Sequence, residues 1–201
     1  RTSTAPVLTV LDSGGLTVNG RLKRELFTGL PTDAVPTITN GNNSLPAAVN
    51  TFLSFDVPSA GGSYGERVNG FFTAPSTDNY VFFLSSDDNA VLFVSTNDQP
   101  ANKVIVAQED GWSEARDWLG VTSTAGSLPS QKRSDSWSPD GGTTVPYSGG
   151  IPMVAGRRYY IEAVHHGQLF DNNVGVTYAT TTEVGEPYDE LKLSQAIQRL
   201  R

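Results

Sequence analysis

Asp87 and Asp88 are the residues of this chain best placed to do chemistry. They stand in Ser85-Ser86-Asp87-Asp88-Asn89, between Asn79-Tyr80-Val81-Phe82-Phe83-Leu84 and Ala90-Val91-Leu92-Phe93-Val94. Both flanking runs are rich in Val, Phe and Tyr and are bounded by Ser, Asp and Asn, the pattern of strand, turn and strand. The two carboxylates therefore project from a tight turn at the end of a sheet. Like charges this close disfavour each other's ionisation. A hard cation held by oxygen ligands offsets the repulsion, and calcium takes about six to eight such ligands. Glycoside hydrolysis also pairs carboxyls, but at a set separation and with one of them acting as a general acid. Metal-bound carboxylates are poor general acids. The sequence has no phosphate loop, cysteine nucleophile or Ser-His-Asp arrangement, so no enzymatic activity is expected.

Other chemistry-bearing residues yield less. His165 and His166 are adjacent in a strand-like run, so they point to opposite faces and cannot readily share a metal. With no third histidine in the chain, zinc is not expected. Trp112, Trp118 and Trp137 have the bulk to anchor a long loop to the core, and the flat faces to stack on a sugar; anchoring is the simpler expectation. Glu109, Asp110 and Glu114, beside Trp112, read as solvated.

The elements that must position Asp87 and Asp88 read as strands. Gly15 to Phe27 alternates through Leu16, Val18, Leu22 and Leu26. Thr28 to Ala48, broken by Pro31, Pro36, Gly41 and Pro46, reads as turns. Thr51 to Val57 and Val68 to Ala74 are expected strands, and Arg158 to His165 is a strong one. Val174 to Ala179 closes the set. From Val104 to Gly150 the pattern fades, and a stretch that long without periodicity is often functional. After Pro187, Leu193, Ala196, Ile197 and Leu200 recur at helical spacing, with acids before and bases after. That is a short amphipathic C-terminal helix.

Composition bounds the class. At 201 residues, one domain with appendages is the prior, and a core can form without staples. Twenty glycines and twelve prolines suit many strands joined by turns. A net charge of −7 argues against nucleic acid. The absence of cysteine excludes disulfides and thiolate metal sites. No run reaches the roughly 18 apolar residues of a membrane helix, so membrane insertion is not expected. An N-terminus of Arg1-Thr2-Ser3-Thr4, with no apolar signal core, reads as an excised or processed piece of a larger chain. The expected layout is an extension over residues 1–13, an all-β antiparallel sandwich over 14–182 with long loops, and a linker and helix over 183–201.

Several features occur in one order. Gly20-Arg21-Leu22-Lys23-Arg24-Glu25-Leu26-Phe27 comes first. Val68-Asn69-Gly70-Phe71-Phe72-Thr73-Ala74-Pro75 and Asn79-Tyr80-Val81-Phe82 lead into Ser86-Asp87-Asp88-Asn89. Val154-Ala155-Gly156-Arg157-Arg158-Tyr159-Tyr160-Ile161-Glu162-Ala163 precedes Asp171-Asn172. From about Gly14 to Thr180 the chain resembles the PA14 domain family, β-sandwiches found in adhesins, glycosidases and toxins. In lectin members of that family, paired aspartates joined by a cis peptide bond hold calcium. The resemblance carries that role to Asp87 and Asp88, and to Asp171 in a second loop before the last strand, with Asn172 and Asn173 as further ligands. Many relatives carry Lys-Glu-Gly-Gly-Gly-Gly before that Asp; this chain has His166-Gly167-Gln168-Leu169-Phe170, which puts larger side chains beside the metal.

The function this implies is calcium-dependent carbohydrate binding, with Asp87, Asp88, Gln168 and Asp171 meeting sugar hydroxyls. The expected setting is a monomeric domain of a larger extracellular adhesin, secreted or on a bacterial surface, whose partners are cell-surface glycans or polysaccharide. The alternative is an accessory or protein-interaction domain of a surface protein or glycosidase, with a purely structural calcium.

Overall fold

The computed structural model describes residues 10–11, 15–16, 21–30, 33–41, 45–120, 127–168 and 172–182, with Leu193 and Gln195 beyond them. The expected N-terminal extension and C-terminal helix lie largely outside the described residues. Strands β1 (Val10–Leu11) and β2 (Gly15–Leu16) form a two-stranded ribbon. The strands that follow are β3 (Leu22–Phe27), β4 (Ala48–Phe52), β5 (Asp56–Pro58), β6 (Tyr64–Thr73), β7 (Asp78–Asp87) and β8 (Ala90–Ser95). Then come β9 (Lys103–Glu109), β10 (Ile151–Met153), β11 (Arg158–Gly167) and β12 (Asn173–Thr180). Two short helices, α1 (Ala34–Thr39) and α2 (Pro129–Lys132), interrupt them.

Two antiparallel sheets make the sandwich. One has six strands in the order β4-β3-β6-β11-β8-β9; the other has four, β10-β7-β12-β5. Their inner faces meet in a core that takes Leu22, Val68, Phe72, Leu92 and Ile161 from the first sheet and Val57, Tyr80, Phe82, Leu84, Val176 and Tyr178 from the second. Phe72 is its aromatic centre: its ring lies 5.3 Å from Tyr80, 5.4 Å from Phe82 and 4.9 Å from Tyr178, within the range of favourable edge and tilted contacts.

Both outer faces are covered in part. α1 lies on the six-stranded sheet, where Ala34, Val35 and Ile38 join Phe27, Val91, Phe93 and Val164. Gly65 permits the approach, since a Cβ there would stand 2.5 Å from Ala34 Cβ. On the four-stranded sheet, Val81, Phe83 and Ala179 pack with Trp118 and Leu193. Successive residues of a strand face opposite sides, so β7 is buried on both faces, and this is why its sequence is a continuous apolar run rather than an alternating one.

Three expectations need correction. Thr51 to Val57 is not one strand: β4 belongs to the larger sheet and β5 to the smaller. The chain turns the corner of the sandwich between them with Phe55 fully buried, and strands that change sheets must bend. Thr28 to Ala48 is not all turn, because Asp33 caps α1 by accepting the Val35 N–H at 3.0 Å. Pro36 sits in the first helical turn, where the N–H has no intrahelical partner to lose. The stretch from Val104 begins within a strand, β9, whose pairing with β8 shifts once between Ile105 and Ala107, and it leaves the sheet only after Glu109.

Phe72→Ala should lower the unfolding free energy by about 3–5 kcal/mol, read from the midpoint shift of a urea titration at unchanged slope.

Candidate functional site

The topology gathers the site at one end of the sandwich. β11 pairs with β8, and β12 pairs with β7. The β7–β8 turn at Asp87-Asp88-Asn89 therefore meets the β11–β12 connection, although these strands belong to different sheets. The Asp87–Asp88 peptide bond is cis. The Asp88 N–H donates to His166 O at 3.2 Å, and the His166 N–H donates to Asn89 O at 3.0 Å. The Gln168 backbone N–H donates to Asp88 Oδ2 at 2.9 Å.

Most of the residues expected at the site converge here. Asp87 and Asp88 are half-buried. Asn172 is buried and gives its amide nitrogen to Gly62 O at 3.4 Å and Gln168 O at 3.3 Å. Gly167 makes room for it, since a Cβ there would lie 2.7 Å from the Asn172 side chain and 2.9 Å from Tyr64. Asn173 stands opposite Asp87 in the β7–β12 register and donates its amide to Ser113 O at 3.4 Å. Gln168 is exposed, and it is the main chain rather than the side chain of Gln168 that engages Asp88. Asp171 lies outside the described residues. Among the described residues, no three His, Asp or Glu side chains converge to a metal-binding cluster.

Behind the turn lies a chain of buried polar groups that local sequence does not reveal. His165 Nε2 is 2.8 Å from Asp87 O, and its Nδ1 is 2.7 Å from Glu66 Oε1. Glu66 in turn forms an ion pair with Arg24. His165 and Glu66 are fully buried, and Arg24 is nearly so. The guanidinium carbon of Arg24 also stands 5.5 Å from the Tyr64 ring centre and 5.8 Å from that of Phe52, within cation–π range. His165 and Glu66 are partners in the β6–β11 register, so the signal was a pairing across 99 residues. His166 faces a different environment: burial holds its imidazole below the ordinary range, opposed by Asp33 and Asp88 and reinforced by His165.

The other flank is held by the segment after β9. Glu109, expected to be solvated, is fully buried. Its Oε2 accepts the Ser86 N–H at 2.8 Å and the Ser86 hydroxyl at 3.1 Å. The Ser113 N–H donates to Ser86 O at 2.7 Å, and the Ser85 hydroxyl donates to Glu114 O at 2.9 Å. Of the three tryptophans, Trp118 is fully buried and Trp137 is 9% exposed, as anchoring requires; Trp112 is 36% exposed.

Chemically, this end of the molecule is a cluster of oxygens: the Asp87 and Asp88 carboxylates, the Asn172 and Asn173 amides and main-chain carbonyls. Asn172 commits its nitrogen to two carbonyls, which leaves its amide oxygen free to donate to a cation. Among the described residues no lysine or arginine forms an ion pair with Asp88. A half-buried carboxylate with no lysine or arginine partner among the described residues, as Asp88 is, favours a bound cation.

Known proteins resemble this chain as follows. The family model described as PA14 domain matches residues 18–174. The chain is similar in structure to a β-glucosidase from Kluyveromyces marxianus (TM-score 0.50, 10% identity), covering 93% of this chain and 18% of that one. It is also similar to the epithelial adhesin 6 A domain from Candida glabrata, solved with Galβ1-3GlcNAc (TM-score 0.49, 12% identity, 83% and 81% covered). A further likeness is to an anti-sigma factor domain-containing protein from Clostridium clariflavum (TM-score 0.47, 16% identity). This chain spans 42% of the length of that protein. No curated protein matches the sequence.

Glu66→Ala should destabilise the fold by about 3–5 kcal/mol, because it leaves the buried Arg24 unpaired. Denaturant titration measures this, and Glu66→Gln, which keeps an acceptor for the His165 ring, should lose less.

Proposed function

This chain belongs to the PA14 domain family, and we propose that it is a calcium-dependent carbohydrate-binding module of a larger extracellular adhesin. The reading rests above all on the half-buried Asp87–Asp88 pair, with no ion-pair partner for Asp88 among the described residues and with oxygen donors around it. A hard cation suits that donor set of oxygens, and the chain has no cysteine to offer a thiolate. Asp87 and Asp88 would hold the calcium, with the Asn172 and Asn173 oxygens and Asp171 completing the set. When bound, calcium supplies coordination positions for two neighbouring sugar hydroxyls.

The chain's own residues do the rest. The Gln168 N–H fixes the Asp88 carboxylate, leaving its second oxygen for the cation or for a hydroxyl. Charge-assisted hydrogen bonds from sugar hydroxyls to these carboxylates are the stronger kind. The Gln168 side chain, exposed at the rim, offers a donor and an acceptor to a further hydroxyl. A single sugar is small and well hydrated, so affinity near millimolar, about −4 kcal/mol, is expected. Copies repeated along a surface protein turn weak sites into adhesion by avidity. On this reading the domain binds and does not turn over its ligand.

A glycan array probed with calcium and again with chelator tests the proposal. Binding should appear with calcium and vanish with chelator. Glycan binding that is the same in both conditions overturns it. If no glycan binds and calcium still raises the melting temperature, the site is structural and the domain is an accessory module. Asp88→Asn should weaken calcium binding by about tenfold or more, since affinity at such sites follows ligand charge; the calcium-dependent shift in melting temperature reports it.

A further inference from the structure

A second cluster of ionisable groups shares Glu109 with the support of the turn. Lys132, at the end of α2, is fully buried. Its Nζ stands 3.8 Å from Glu109 Oε1 and 3.9 Å from Asp117 Oδ2. Its one hydrogen bond among the described residues goes to the main-chain oxygen of Asp117. Glu109 Oε1 and Asp117 Oδ2 are both buried and accept no hydrogen bond among those residues. An ordinary buried ion pair survives its desolvation only with close contacts that use the remaining donors and lone pairs. Here an ammonium with three donors faces two carboxylate oxygens and bonds to neither.

We propose that Lys132 and Asp117 condense into an amide cross-link inside the folded chain, with Glu109 as the proton carrier. The Asp117 carboxyl is already oriented, because its Oδ1 accepts the Gly120 N–H at 2.8 Å. That bond stabilises the charge that gathers on Oδ1 when the carbon is attacked. Glu109 accepts a proton from the Lys132 ammonium, which frees the nitrogen lone pair. The lone pair forms a bond to Asp117 Cγ, the Cγ–Oδ2 bond breaks, and Oδ2 leaves as water. Both protons of that water come from Nζ by way of Glu109, which ends as it began. One ammonium and one carboxylate become one amide and one water, with no oxidation or reduction.

The surroundings favour the step. Burial raises the Glu109 carboxyl above its ordinary range, although Lys132, Ser113 and Ser86 pull it down, which suits a group that takes up and returns a proton. Trp118, next to Asp117, is fully buried, and Arg133, next to Lys132, bridges to Phe83 on β7. Condensation removes two charges from a water-poor site, where charges are most costly, and the same exclusion of water slows hydrolysis of the product.

The test is the intact mass of the purified chain under denaturing conditions, followed by peptide mapping. The expected mass is lower than that of the sequence by one water, with a branched peptide joining Asp117 to Lys132. Lys132→Arg should have the full sequence mass. A wild-type chain at full mass overturns the proposal. So does a loss of water mapped to Asp110-Gly111 or Asp140-Gly141, where an aspartate cyclises onto its own main chain, or one that persists in Lys132→Arg.

Discussion

Strand β7 has no solvent face along its centre, and the rest of the molecule is arranged around that constraint. Every residue from Tyr80 to Ser86 is buried. The inward set packs on Phe72 and Tyr178, and the outward set on Trp118 and Leu193. Its edges pair with β12 and β10, and at Phe82 and Phe83 with residues 133 and 134. A strand enclosed in this way has one register, because a slip by one residue would exchange its two apolar sets. Whatever stands at its end is placed with the same accuracy as the core.

What stands there is the aspartate turn, and two buried carboxylates clamp it. Glu66 acts through His165 on the Asp87 carbonyl, and Glu109 acts directly on the Ser86 N–H and hydroxyl. One comes from the six-stranded sheet; the other comes from the end of β9, where the chain leaves that sheet to cover the smaller one. Buried ions are poor sources of net stability. Their effect here is geometric: consecutive residues, Ser86 and Asp87, are each held by a buried group, which fixes the backbone that carries the two half-buried carboxylates.

The strands and the turn were legible in the sequence because their signals are local. Val, Phe and Tyr runs on either side of Ser-Asp-Asp-Asn mark strand and turn without reference to anything distant. Glu109 was misread for the same reason: beside Asp110 and Trp112 it has the look of a surface acid, and only the folded chain brings Ser86 and Lys132 to it. The histidine pair was legible as two faces of a strand, but the partner of His165 depends on the β6–β11 register, which one sequence does not encode locally. The break between β4 and β5 was hidden because alternation continues through the corner while the chain changes sheets. α1 was hidden behind Pro36, whose place in the first turn removes the usual penalty.

The connection between β11 and β12 has a consequence of another kind. β11 is paired along both edges as it approaches the site, and β12 is paired along both edges as it leaves. Both flanking strands are therefore held without help from the connection that joins them. The sheets, and the turn they place, do not depend on the length of that connection. The scaffold thus separates a turn whose position the core dictates from a neighbouring connection that the sheets do not depend on, so the surface at this end of the sandwich is open to change in small steps.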